Sequence, residues 1–383
     1  MPATNRILVV SFSPIYRDAR VLRQISALEH VGEVTTVGYG DHPAGATHHF
    51  QIPDGNASLP QTIPGVLTLG LRQWKRAEMA APASKRTVEL VGDRRYDVAV
   101  ANDARALPAA FAVANGAPVV ADLHEWARGE RTHVAAWRIL VSPLMDHICR
   151  EYLPRTSAAS TVGAEIAKLY EREYGVRPQV VRNAAPFHDL EPTRVSDDVI
   201  RLVHTGAANY GRNIEAMIEA TIRAGERYTL DLYLVPAADG GAYLKTLKEA
   251  AGGNPRVTFH DPVKPHEIPD TINEYDVGIF WIPPFSTNAR LTLPNKIFDF
   301  IQGRLAVAVG PSIEMVKVVN DYGIGVVSED YTVESIIETL ASITPDQVRA
   351  WKSATNRAAH ELSFEREAQT IQSMVRGALE PTA

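Results

Sequence analysis

Residues 7–11 read Ile-Leu-Val-Val-Ser, and residues 33–38 read Glu-Val-Thr-Thr-Val-Gly. Both runs are rich in the β-branched residues that favour strands. Between them, residues 18–31 carry the apolar spacing of a helix. A strand, a helix and a second strand in this order indicate a parallel sheet that helices cover on both faces.

The same alternation continues along the chain, with a break in the middle. Segment 184–198, which contains two prolines and several charges, is predicted to be a linker. The terminal segment 345–378 is predicted to be helical throughout. Further strands are predicted at 96–101, 118–122, 157–162 and 178–182 before the linker, and at 200–205, 229–235, 256–260, 276–281 and 305–309 after it.

This order predicts an α/β protein of two tandem doubly wound, Rossmann-like lobes. We expect the first lobe at residues 1–185, the second at 186–364, and a C-terminal helix at 365–383. In such sheets ligands bind beyond the carboxyl ends of the strands, and two facing lobes form a cleft.

Composition narrows the classes of partner. The chain has 383 residues, a formal net charge of −6 and a hydrophobic fraction of 45%, which give no electrostatic reason to expect nucleic acid as a partner. The single cysteine, Cys149, excludes an internal disulfide and is expected to be a packed residue. We find no secretory signal and no apolar run of spanning length, so the expected location is the cytoplasm. Composition leaves peripheral contact with the inner face of a membrane open.

A phosphate site is predicted where the second lobe begins. Residues 202–205 form a strand, 206–211 a loop with glycines at both ends, and Arg212 begins a helix. Such a loop presents backbone N–H groups to an anion, and Arg212 adds a charged fork. The pattern resembles a P-loop superficially, but Asn213 lacks the hydroxyl that binds Mg²⁺, which disfavours a nucleoside triphosphatase. A solvated surface arginine is the alternative interpretation.

Two other clusters are candidates. Pro294 suits the first position of a helix, and Lys296 and Asp299 share one face of it. This pair could meet a diphosphate and a ribose, or form only a surface salt bridge. His124 lies among polar residues just after the strand 118–122, at the expected cleft. The adjacent His48 and His49 are interpreted as loop residues, and no dinucleotide fingerprint, Asp-x-Asp pair or zinc motif is found.

Five segments, in order and spacing, resemble the GT-B glycosyltransferases of the large retaining family 4. They are residues 17–23 (Arg-Asp-Ala-Arg-Val-Leu-Arg), residues 96–103 (Tyr-Asp-Val at the start, Ala-Asn-Asp at the end), residues 122–125 (Asp-Leu-His-Glu), residues 181–183 (Val-Arg-Asn) and residues 293–300 (Leu-Pro-Asn-Lys-Ile-Phe-Asp-Phe).

The resemblance implies roles for individual residues. It implies that Arg212 and Lys296 bind the donor diphosphate, that Asp299 holds the ribose hydroxyls and that His124 contacts the transferred sugar. The full set of implied site residues is Gly206, Arg212, Asn295, Lys296 and Asp299 for the donor nucleotide, Asp103, His124 and Glu125 for the sugar and acceptor side, and His124, Arg212 and Lys296 for catalysis.

Some positions depart from the family pattern. Ala207 stands where many members have a diphosphate-binding arginine, and Leu291 stands where the first glutamate of a paired acidic motif is usual. Asp299 is one methylene shorter than the usual glutamate. Two alternatives to a glycosyltransferase therefore remain. One is a non-catalytic protein that binds a nucleotide sugar or a partner, and the other is a GT-B epimerase or phosphorylase. The resemblance implies sugar transfer without a metal or other cofactor.

Overall fold

A computed structural model describes residues 4–132 and 134–380 of the chain. Residues 1–3, 133 and 381–383 lie outside the described residues, and with them the beginning of the predicted first lobe and the end of the predicted C-terminal helix. The chain divides into two compact units. The first comprises Met1–Arg182, Ser286–Asn288 and Glu367–Ala383, and the second comprises Asn183–Phe285 and Ala289–Arg366.

The first unit is built on a sheet of seven parallel strands. Its spatial order is β3-β2-β1-β4-β5-β6-β7. Strands β1 to β3 extend from the centre to one edge of the sheet, and β4, which pairs with β1, begins the series that extends to the other edge. The strands are β1 (Asn5–Pro14), β2 (Gly32–Tyr39), β3 (His48–Ile52), β4 (Val98–Asn102), β5 (Val119–Leu123), β6 (Ala158–Thr161) and β7 (Gln179–Val180). The first unit also has a π-helix, Trp137–Val141, and the helices α1 (Ala19–Leu28), α2 (Ile63–Gly70), α3 (Trp74–Ala77), α4 (Pro82–Val91), α5 (Leu107–Ala114), α6 (Ser142–Tyr152) and α7 (Ala164–Tyr174).

The second unit has six parallel strands in the order β10-β9-β8-β11-β12-β13. The strands are β8 (Ile200–Ala208), β9 (Tyr228–Pro236), β10 (Val257–His260), β11 (Val277–Phe280), β12 (Ala306–Val309) and β13 (Gly325–Val327). The remaining helices are α8 (Ile214–Arg223), α9 (Ala242–Ala251), α10 (Ile268–Ile272), α11 (Thr287–Arg290), α12 (Asn295–Gln302), α13 (Ile313–Tyr322), α14 (Val333–Ser342), α15 (Pro345–Ala358) and α16 (Phe364–Leu379).

Central strands of both sheets are buried along their whole length. Every residue of β4, β5, β11 and β12 is buried, as expected for parallel strands that helices cover on both faces. These strands are also the continuous apolar runs of the sequence. The prediction of two doubly wound α/β units is therefore confirmed.

Close packing fixes the helix that carries Lys296. A Cβ atom on Gly278 in β11 would lie 2.3 Å from Cγ of Phe300, so the ring of Phe300 rests directly on the glycine backbone. Phe298 and Ile301 of the same helix are also completely buried. Three buried side chains therefore hold α12 on the sheet, and the opposite face of the helix keeps a fixed orientation.

The C-terminal segment packs within the first unit. Gln372 Nε2 in α16 donates a hydrogen bond to Ala27 O at 3.1 Å. Arg182 Nε and Glu367 Oε1 form an ion pair at 2.6 Å, and Glu367 is buried. The end of α16 therefore belongs to the unit in which the chain begins.

The structure corrects four local predictions. His48 and His49 lie in the strand β3, where His49 Nδ1 is 2.8 Å from Thr36 Oγ1 and Nε2 is 3.1 Å from Gly40 O. The segment 345–378 is not helical throughout, because α15 ends at Ala358 and α16 begins at Phe364.

The two remaining corrections concern helix starts. The helix α8 begins at Ile214 and not at Arg212, because Asn213 has a left-handed backbone (φ 60°) that an α-helix cannot include. Pro294 precedes α12 as its N-cap, in an extended conformation, and Asn295 is the first helical residue.

Candidate functional site

The first candidate site lies at the carboxyl end of β8. Gly206 has a φ of 127° and Gly211 a φ of 81°, so both ends of the loop use backbone that side chains disfavour. At Gly206 a Cβ atom would lie 3.1 Å from Lys296 Nζ. The loop and Lys296 of α12, for which the family resemblance implies a shared donor site, are therefore neighbours in the second unit.

A histidine on β8 holds the ammonium group of Lys296. His204 is completely buried, and its Nδ1 lies 2.9 Å from Ile279 O. A carbonyl only accepts, so Nδ1 carries the hydrogen and Nε2 presents a lone pair. Lys296 Nζ lies 3.2 Å from that Nε2 and 4.2 Å from the centre of the Phe280 ring. The lysine therefore donates to the histidine while the aromatic face lies beneath it.

The ammonium group of Lys296 is destabilised where it lies. Burial and the neighbouring charge of Arg212 lower its pKa well below the ordinary value, and the carboxylate of Asp299 opposes this shift in part. Burial and Lys296 likewise lower the pKa of His204, so the imidazole is neutral. A bound anion would reverse the effect on Lys296, because it would supply the negative charge that this pocket lacks.

Arg212 is a half-buried cation without a counter-ion. Burial lowers its pKa, although a guanidinium stays charged in proteins. Across residues 4–132 and 134–380, its guanidinium makes no ion pair and no side-chain hydrogen bond. Arg212 and Lys296 thus form a cationic pair, and Asp299 is an acidic neighbour of Lys296.

The other residues that are predicted to bind the donor nucleotide lie on α12. Asn295 is exposed at the start of α12, and Asp299 follows one turn later, half-buried on the side of Lys296. Leu291 is 3% exposed, so this position contributes to the apolar interior and offers no polar group to a ligand.

The second candidate site lies at the carboxyl ends of β4 and β5 in the first unit. Asp122 is buried beneath it and receives two hydrogen bonds from Arg20, at 2.6 and 2.9 Å. Ser160 and Gln24 donate to the same carboxylate at 2.8 and 3.1 Å. Burial would raise the pKa of Asp122, but Arg20 and His124 together outweigh burial and lower the pKa below its ordinary value. The carboxylate is therefore ionised.

The Asp122 carboxylate sets the direction of a hydrogen-bond chain that ends on His124. Gln24 Nε2 donates to Asp122, so Gln24 Oε1 must accept, and Asn102 Nδ2 donates to it at 2.9 Å. Asn102 then presents its Oδ1 to His124 Nε2 at 3.0 Å. An amide oxygen only accepts, so Nε2 of His124 carries a hydrogen.

The other ring nitrogen of His124 faces Asp103. Its Nδ1 lies 3.6 Å from Asp103 Oδ2, and the backbone N–H of His124 donates to Asp103 Oδ1 at 3.2 Å. Burial would lower the pKa of His124, but Asp103 and Asp122 raise it above the ordinary value. The 3.6 Å separation leaves Nδ1 free to bond a ligand, whereas Nε2 is already committed to Asn102.

Asp103 has a strained backbone. Its φ of 66° and ψ of 156° fall in a region that is essentially restricted to glycine. Its N–H donates to Asp122 O at 2.8 Å, which ties the turn to the neighbouring strand. A non-glycine residue kept in this conformation is typical of a functional site.

Glu125 is a carboxyl group that holds its proton. Burial, with Glu130 and Asp103 nearby, raises its pKa to about 8, and Arg105 acts in the opposite direction. Arg105 also forms an ion pair with Glu130. Asn288, which belongs to the same unit, donates to Glu125 Oε2 at 2.6 Å.

Several of these residues carry no clear signal in the sequence. His204 was included only as part of a strand, although a histidine in an otherwise apolar buried run is a signal that could have identified it. Gln24, Arg105 and Glu130 were missed because nothing in local spacing links them to residues that are up to 98 positions away. Cys149 is buried, as expected, and burial raises the pKa of its thiol.

The described residues form neither a metal-binding cluster nor a membrane-spanning helix. Within the described part of the chain, no group of three or more His, Cys, Asp or Glu side chains could hold a metal ion. None of the helices between residues 4 and 380 is long and apolar enough to cross a membrane.

The fold is shared with known proteins although the sequence is not. No protein-family description matches the chain, and no curated protein resembles it in sequence. An α,α-trehalose-phosphate synthase (UDP-forming) from Burkholderia vietnamiensis superposes with a TM-score of 0.69 at 10% identity, over 97% of this chain and 100% of that one. The HepE protein of Anabaena, solved with UDP and glucose, gives 0.68 at 15% identity over 97% and 99%. A sucrose-phosphate synthase from Thermosynechococcus elongatus gives 0.69 at 12% identity over 97% and 98%.

These neighbours are GT-B glycosyltransferases, and at identities of this size they show the fold alone. The chain therefore has the GT-B fold of two Rossmann-like units.

Proposed function

We propose that this chain is a glycosyltransferase that moves a sugar from a nucleotide-diphosphate donor to a glycan, lipid-linked or small-molecule acceptor. Transfer with retention at the anomeric carbon and without a metal ion is part of the proposal. The observation that carries it is the cationic pair of Arg212 and Lys296 beside the Gly206 loop. Neighbours of the same fold include a UDP-forming synthase and a protein solved with UDP and glucose.

The proposed role of the pair is to bind the diphosphate. Negative charge grows on the leaving diphosphate as its bond to the sugar breaks, so fixed cations stabilise the transition state more than the ground state. Removing one such contact should cost roughly 2–4 kcal/mol of barrier. Gly206 and Asn295 are proposed to contact the phosphates through the backbone, and Asp299 to accept hydrogen bonds from the ribose.

The first unit is proposed to bind the transferred sugar. His124 has one ring nitrogen committed to Asn102, which leaves Nδ1 to bond a sugar hydroxyl. Asp103 and Glu125 are proposed to lie beside the same sugar or the acceptor. No protein nucleophile is needed if the leaving phosphate deprotonates the acceptor on the face it departs from.

A second candidate function is binding of a nucleotide sugar without catalysis. The buried Leu291, in place of the acidic residue usual in the resembled family, favours it. Retained affinity for a nucleoside diphosphate, without consumption of any sugar nucleotide, would distinguish this candidate from the enzyme.

Thermal unfolding tests the donor site. We expect one of UDP, GDP, ADP and TDP to raise the melting temperature of the purified chain without added metal. A hundredfold excess over the dissociation constant stabilises by about 2.7 kcal/mol. The variant Asp299→Ala should weaken the effect, whereas Asp321→Ala, an exposed aspartate on α13, should not. Absence of a shift with all four nucleotides would contradict the proposal.

A further inference from the structure

An exposed apolar surface lies on the first unit. In and just after α2, Ile63 is 81% exposed, Leu67 59% and Leu71 68%, and Val66 is also exposed. These four residues follow the spacing i, i+3, i+4 and i+8, which places them on one face of a helix. In a helix of a globular protein this stripe normally faces the core, but here it faces solvent.

The helix α2 is nevertheless firmly built. Thr62 caps it by accepting a hydrogen bond from the backbone of Gly65 at 3.3 Å, and Leu69 is buried. A Cβ atom on Gly65 would lie 2.8 Å from Pro60 O, so the helix packs closely at this point. The exposed stripe therefore lies on a capped helix whose other side is buried at Leu69.

A second segment extends this surface. The π-helix Trp137–Val141 contacts α2, and its Ile139 is 65% exposed. Trp137 is buried and anchors the segment. We call α2 with Leu71 and this π-helix the apolar face. Exposed apolar surface of this kind is typical of sites that contact a protein or a membrane.

Basic residues lie within and beside the apolar face, although the whole chain has a net charge of −6. Residues 55–77 contain three basic side chains and no acidic one, and residues 131–145 contain two basic side chains and no acidic one. The five are Arg72, Lys75, Arg76, Arg131 and Arg138, and all are exposed. Lys75 pairs with Glu151 at 2.8 Å on one side.

We propose that the apolar face docks on a bilayer that contains anionic phospholipids. Its aliphatic side chains would enter the boundary between headgroups and acyl chains, while the five basic residues contact lipid phosphates. Each basic residue near an anionic surface strengthens binding about fivefold. A second copy of the chain fits less well, because a two-fold pairing of identical faces would bring five cations against five cations. The docking does not rest on the proposed sugar transfer.

Sedimentation with vesicles tests the proposal. The full chain should bind vesicles of phosphatidylcholine and phosphatidylglycerol in a 7:3 ratio at least tenfold more tightly than vesicles of phosphatidylcholine alone. Raising the salt to 0.5 M should weaken the binding, because screening reduces attraction between surface charges. Equal binding to both vesicles, or none, would overturn the proposal.

Two variants and a control separate the contributions. The triple variant Ile63→Ser, Leu67→Ser, Leu71→Ser should lose at least tenfold in affinity for the anionic vesicles, as should Arg72→Gln, Lys75→Gln, Arg76→Gln. The control Val235→Ser, Ile313→Ser removes exposed apolar side chains of the second unit and should bind as the unchanged chain does.

The folded state of each variant is checked by circular dichroism. The proposal fails if the folded serine variant retains full affinity. It also fails if the unchanged chain forms a dimer that the serine variant abolishes and that does not bind vesicles.

Discussion

Lys296 Nζ lies 3.2 Å from His204 Nε2, on the side of the imidazole opposite the contact between His204 Nδ1 and Ile279 O. The histidine accepts from the lysine whether or not the lysine is protonated, so it positions the amine without neutralising it. A bound anion would therefore stabilise the ammonium form of Lys296, which burial and Arg212 destabilise. This relationship connects the fold of β8 and α12 to the proposed chemistry.

The first prediction is that nucleoside diphosphate binding takes up a proton. Because burial and Arg212 lower the pKa of Lys296, the free protein loses this proton at a lower pH than an exposed lysine would. A bound diphosphate favours the cation and raises that pKa again. Calorimetry in buffers of different ionisation enthalpy should therefore show proton uptake.

The matched variant for this prediction is Lys296→Arg, since a guanidinium stays protonated. Its binding enthalpy should not depend on the buffer, beyond the protonation of the phosphate itself. An unchanged dependence in this variant would mean that another group takes up the proton.

The second prediction concerns the tautomer of His124. The chain from Asp122 through Gln24 and Asn102 places a hydrogen on His124 Nε2. At a pH where the imidazole is neutral, nitrogen-15 NMR, with the signal assigned by His124→Gln, should show this tautomer in the unchanged chain. Asn102→Leu removes the acceptor and should yield a mixture of tautomers. An identical spectrum for Asn102→Leu would contradict the relay.

The third prediction concerns the strain at Asp103. Its backbone conformation costs about 1–3 kcal/mol for a residue with a Cβ atom. Both Asp103→Gly and Asp103→Asn remove the carboxylate, but only glycine removes the strain. Glycine loses about 0.5–1 kcal/mol through the flexibility of the unfolded chain. Urea denaturation should therefore find Asp103→Gly more stable than Asp103→Asn by up to about 2.5 kcal/mol. A glycine variant that is less stable than the asparagine variant would contradict the strain.

The fourth prediction concerns Glu125 and pH. Its pKa is raised to about 8 from 4.5, so between these values the folded chain holds a proton that the unfolded chain has released. By linkage, this group lowers the free energy of unfolding as the pH rises through that window. Glu125→Gln removes the effect, so its stability relative to the unchanged chain should be greater at pH 8.5 than at pH 5.

Thermal or urea unfolding at the two pH values measures the difference. Glu89→Gln, which removes an exposed carboxylate on α4, is the control. If Glu125→Gln behaves like the control, Glu125 is ionised in the folded chain.

Much of the fold could be predicted because buried parallel strands are continuous apolar runs. β4 and β5 are wholly buried and were found at their positions within a few residues. β3 was missed because His-His-Phe-Gln-Ile has no such run: it is an edge strand, and only Ile52 is buried. β13, with three half-buried residues, gives an equally weak signal.

The sites could be predicted only in part. The glycines and basic residues around Arg212 follow local rules for loops and helix starts, and in the structure Gly206 lies next to Lys296. The left-handed backbone at Asn213, which delays α8, has no strong local signal. The relay from Asp122 to His124 depends on amide orientations across three elements, and these are set by tertiary packing alone.

Consumption of a sugar nucleotide tests the central claim most directly. UDP-, GDP-, ADP- and TDP-sugars are incubated with the purified chain, and release of the nucleoside diphosphate is followed with and without candidate acceptors. We predict release from one donor class, a loss of about 10²–10³-fold in Arg212→Ala, and no loss in Arg223→Ala, an exposed arginine of α8. Turnover in Arg212→Ala at the unchanged rate, or no consumption of any donor by the unchanged chain, would contradict the account.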